Sequence, residues 1–90
     1  MLWMVTSVTI DLPAMAAPVK RSVTINGHRT SVSLEDAFWS ALRRIAQQDA
    51  ISRTELIAAI DDHRPAEVGL ATALRLYVLA NIQRADAAIA

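Results

Sequence analysis

In the stretch "HRTSVS", Arg29, Ser31 and Ser33 recur at every second residue. On an extended strand such residues share a face, so one guanidinium and two hydroxyls form a row. The row has donors and acceptors enough to bond the edges of a polar partner, although a solvated sheet face would look the same. A second group follows at Ser52-Arg53-Thr54-Glu55. There a hydroxyl and a carboxylate stand at capping-box spacing, with a cation between them. Free backbone N–H groups and the positive end of a helix dipole make such a start attractive to anions.

Other chemistry finds little support. His28 and His63 lie far apart, and neither has a carboxylate at ligand spacing, so no metal site is expected. Asp61, Asp62 and His63 are adjacent, so on a helix they point in different directions and read as surface charge. The chain lacks a glycine-rich phosphate loop, a nucleophile elbow and a paired-carboxylate pocket. The expectation is no enzyme, no catalytic residues and no cofactor. The absence of cysteine excludes disulfides and thiolate ligands.

Ninety residues make one small domain, for which a partner subunit is a reasonable expectation. Hydrophobic residues reach 53% and aromatic residues only 4%, which suits a compact aliphatic, helical core. Nine basic and nine acidic residues give a formal net charge of zero, so a globally basic surface is excluded. The charge is nonetheless uneven. Lys20, Arg21, His28 and Arg29 fall between residues 20 and 34, a span with no acid. The apolar opening "MLWMVTSVTIDLP" has no basic flank and is broken by Asp11, which argues against a leader or a membrane span. A cytoplasmic location is expected. Residues 1–19 read as an arm or linker, with a short strand in "VTSVTIDLP" as the alternative and Met15 as an alternative start. Residues 20–90 read as the domain.

The elements that must position these groups follow from periodicity. "RSVTI" and "HRTSVS" alternate on either side of Asn26-Gly27, which predicts a hairpin over 21–25 and 28–33 with a type I′ turn. Thr30 and Val32 face one way, and Arg29, Ser31 and Ser33 the other. Ser33 stands three residues before Asp36, an approximate N-cap arrangement for a first helix over about 34–48. Leu34, Phe38, Ala41, Leu42 and Ile45 form its apolar face. Trp39 sits about 100° round from Phe38 and is expected to cover the core against a third helix or a partner chain. The capping box starts a second helix near Arg53, ending around Asp62 or His63, with Leu56, Ile57 and Ile60 apolar. A third helix spans about 70–84 and is apolar nearly all round, so it should be buried on more than one side.

Residues 29–57, "RTSVSLEDAFWSALRRIAQQDAISRTELI", resemble the ribbon-helix-helix DNA-binding proteins, the class of the Arc and MetJ repressors. The longer stretch over residues 18–84 is similar to one bacterial subgroup of ribbon-helix-helix domain proteins. The resemblance implies a mostly α fold with a short β-hairpin, forming an intertwined homodimer with an extra N-terminal strand and a third C-terminal helix. The dimer core would hold Val32, Leu34, Phe38, Leu42, Ile45, Leu56, Ile57 and Ile60. Arg29, Ser31 and Ser33 would contact base edges in the major groove of double-stranded DNA. Ser52, Arg53 and Thr54 would hold phosphate, with Lys20 and Arg21 tracking the backbone. The implied role is transcriptional regulation; a protein-interaction module or antitoxin-like protein is the alternative. Two departures stand out. Ala50 occupies the inter-helix turn, where the family usually has glycine and a left-handed residue is wanted; Asp49 is the alternative residue for that conformation. The Asn26-Gly27 hairpin adds a strand, so a strand-paired dimer would hold a four-stranded sheet.

Overall fold

The computed structural model describes residues 7–89, with the side chain of residue 89 left aside. Residues 7–18 carry no regular secondary structure, and part of the alternative arm strand lies outside the described residues. The chain then forms β1 (Val19–Ile25), β2 (His28–Leu34), α1 (Asp36–Gln48), α2 (Arg53–His63) and α3 (Leu70–Ile89).

Asn26 and Gly27 both take positive φ, 50° and 80°, as a type I′ turn requires. The antiparallel register pairs Ile25 with His28 at the turn and Val19 with Leu34 at the open end. The ladder extends two residues before and one beyond the expected strands. Val23, Ile25, Val32 and Leu34 are buried on the inner face. Thr30 lies on that side too, opposite Val23, yet near the tip it is exposed and adds nothing to the core.

β1 packs on α2 and β2 on α3, while α1 packs on both α2 and α3. Leu34, Leu42, Ile57, Leu74 and Val78 are the largest fully buried side chains. Each contributes about 1.5–3 kcal/mol by leaving water, against about 0–1 kcal/mol for an exposed ion pair. The aliphatic contacts therefore hold the hairpin on the helices, and the ion pairs serve orientation. Of the residues expected in a dimer core, Val32, Leu34, Leu42, Ile45, Leu56 and Ile57 are buried within this one chain. Phe38 and Ile60 are half-buried beside them.

Three expectations need correction. The N-cap of α1 is Glu35, not Ser33, and no side chain caps it. Residues 33 and 34 are still extended in the ladder, so the helix cannot begin before it ends. α3 runs five residues past Arg84, through an alanine-rich segment of high helix propensity.

The α1–α2 turn is a Schellman motif. Ile51 N–H donates to Ala46 O at 3.0 Å, Ala50 N–H donates to Gln47 O at 3.1 Å, and Ala50 takes φ 57°. Its Cβ opposes this left-handed conformation, whereas glycine would have no such penalty. Ala50→Gly is expected to raise the free energy of unfolding by about 1 kcal/mol, measured by urea denaturation.

Candidate nucleic-acid interface

The hairpin's two faces differ in character. Opposite the apolar inner face, the register sets Lys20 against Ser33, Ser22 against Ser31 and Thr24 against Arg29. All six are exposed. The face thus holds two cations, four hydroxyls and no carboxylate. Arg29 Nε donates to Ser22 Oγ across the strands at 3.1 Å, which lays the guanidinium over β1 instead of leaving it free.

The acids that follow β2 both have specific partners. Glu35 meets Arg75 of α3, at 3.0 Å to Nε and 2.9 Å to Nη2. A hydrogen bond from its own backbone N–H, helped by Arg75, holds the Glu35 carboxyl below its ordinary value. Asp36 pairs with Arg21 Nη2, while Arg21 Nε donates to Leu34 O at 3.2 Å. Arg21 is thus occupied within the fold, its side chain only 14% exposed.

At the start of α2 both halves of the capping box form. Glu55 N–H donates to Ser52 Oγ and Ser52 N–H to Glu55 Oε1, each at 3.0 Å. Arg53 lies over the Trp39 ring, its Cζ 3.8 Å from the centroid, and Nη1 donates to Trp39 O at 3.3 Å. Arg21 approaches the same ring at 4.9 Å. Trp39 therefore packs on the core, as expected, while its ring also faces β1 and the start of α2, where two guanidiniums meet it. Burial, followed by the like charges of Arg43 and Arg21, lowers the Arg53 pKa, yet a guanidinium stays charged at neutral pH.

The structure thus gathers Arg21, Arg53 and Trp39 at one junction, with Ser52 and Thr54 exposed beside it. Lys20 belongs instead to the outer face of the hairpin. Sequence reading missed the Arg53–Trp39 stack and the Arg75–Glu35 pair, which join residues 14 and 40 positions apart. Among the described residues, no group of three His, Cys, Asp or Glu can hold a metal ion. No described helix is long and apolar enough to cross a membrane.

A polar, acid-free ribbon, followed at once by two helices with a capped second start, defines a class. The ribbon-helix-helix domain family matches residues 18–82, and the chain belongs to that family. Its members are generally DNA-binding regulators or antitoxins, not enzymes. No curated protein and no solved structure matches the chain.

The capping box carries a pH signature. The Ser52 backbone and hydroxyl bonds hold the Glu55 carboxyl below its ordinary value of 4.5. With the folded value depressed, the stabilisation is complete above the unfolded value and is lost as pH falls through the folded one. Glu55→Gln keeps a capping partner but cannot titrate. Its stability should fall less steeply than the parent's below pH 4.5, in melts recorded down to acid. Ser52→Ala should cost about 1 kcal/mol at neutral pH.

Proposed function

We propose that this chain is a sequence-specific DNA-binding regulator acting as a homodimer, with its ribbon in the major groove. The single observation that carries the reading is the outer hairpin face, where Arg29, Ser31 and Ser33 stand exposed in two strand rows that include no carboxylate. Arg29 suits guanine O6 and N7, and the serines suit several base edges. Ser52, Arg53 and Thr54 meet phosphate at the start of α2, where N–H groups and a stacked cation converge. Lys20 follows the DNA backbone beside the ribbon. Arg21 acts through the Trp39 stack and by holding Asp36 away from the phosphates. A two-fold dimer would supply two such units to a symmetric site. Exposed Leu76, Leu79 and Ile82 on α3, with half-buried Ile60, are available for subunit contact.

A second reading has its own observation. An apolar groove of about 520 Å³ lies between α2 and α3, bordered by Leu56, Ile60, Leu76 and Tyr77. It suits a protein-interaction or antitoxin-like role, in which the dimer grips a second protein without reading DNA.

Selection from random duplexes at moderate salt decides between them. The DNA reading requires an enriched sequence; its absence overturns that reading in favour of the groove. On the enriched duplex, Arg29→Ala should cost about 1–3 kcal/mol and relax preference at one position per half-site. Affinity should fall steeply with salt, as phosphate contacts release counterions.

A further inference from the structure

We propose that the hairpin of a single chain is itself the reading ribbon, so that β1 supplies base-contacting residues, Ser22 and Thr24, opposite those of β2. This rests on the DNA reading above and specifies how that reading is built.

Width is the first argument. Neighbouring strands lie about 4.8 Å apart, so two strands fit a major groove about 12 Å wide with room for side chains. Pairing β2 with its counterpart in a second chain would place β1 on each flank. Four strands put about 14 Å between the outer backbones, which already exceeds the groove. The two-stranded hairpin needs no partner strand to reach the right width.

The second argument is the content of the outer face. Lys20, Ser22 and Thr24 on β1 stand opposite Ser33, Ser31 and Arg29 on β2. A flanking strand outside the groove has no need to match its neighbour. Here β1 repeats the exposed, acid-free, hydroxyl-bearing row of β2 at every second residue. The Arg29–Ser22 bond at 3.1 Å then gives Ser22 a second task, aiming the Arg29 guanidinium along the ribbon.

The third argument is packing. In this chain α2 backs β1, α3 backs β2, and the inner residues Val23, Ile25, Val32 and Leu34 are already buried. No missing strand is needed to cover them.

The test uses the parent, Thr24→Val, Ser22→Ala and Arg29→Ala on the enriched duplex, with every base pair of the site substituted in turn. Residues 22 and 24 are exposed, so thermal melts of those two variants should match the parent. Thr24→Val should lose about fivefold or more in affinity, and lose discrimination at a base pair distinct from the one that Arg29→Ala relaxes. Ser22→Ala should blunt discrimination at the Arg29 position itself. If Arg29→Ala relaxes a base preference while both β1 variants keep the parent's affinity and profile, the ribbon takes its second strand from elsewhere. The proposal is then overturned, and the DNA reading stands. If the parent enriches no sequence, the DNA reading falls and takes this assignment with it.

Discussion

Positive φ at both Asn26 and Gly27 sets a two-residue loop, and the loop sets the register of everything after it. A strand has two faces and a period of two. A slip of one residue would turn Val32 and Leu34 to solvent and press Ser31 and Ser33 onto α3. The apolar cost of that exchange keeps the polar row outside. The surface proposed to read DNA is thus specified by residues on the opposite side of the same strand, and by a turn that bears no reading group.

Electrostatics complete the separation. The chain is neutral overall, yet the outer rows of the hairpin carry two cations and no acid, and the two acids that follow β2 are both paired. Glu35 is drawn to α3 by Arg75, and Asp36 is held by Arg21. Neither pair adds much stability, being partly exposed. Their effect is to pair each carboxylate with a cation, Glu35 with one on α3 and Asp36 with one on β1. Trp39 works in the same sense, orienting Arg53 beside the exposed start of α2.

Local rules made much of this legible. Asn-Gly between alternating runs announced the hairpin, and Ser52-x-x-Glu55 announced α2, because each signal spans only a few residues. The outward set Arg29, Ser31 and Ser33 followed from alternation alone. What stayed hidden depends on distant pairing. Trp39 meets Arg53 and Arg21 only after α1 and α2 have closed on β1, so its environment had no local trace. The start of α1 was misplaced because Ser33 satisfies a capping pattern while the ladder keeps it extended. The end of α3 was placed short because its last turns are held by alanine propensity without an apolar stripe. The turn at Ala50 was readable as a position that wants glycine. Which residue took the strain was settled by the Schellman hydrogen bonds.

The covering of β2 by α3 has a consequence for how the chain comes into being. Glu35 and Arg75, which mark this contact, are 40 residues apart. At synthesis rates of about 5–20 residues per second, the ribbon strand waits roughly 2–8 s for the helix that shelters its apolar face. During that interval Val32 and Leu34 lie open beside an unpaired strand edge, the combination that invites wrong association. The polar outer row, with its arginine, then serves the nascent chain as well as the finished one, by keeping one side of that strand soluble until the last helix arrives.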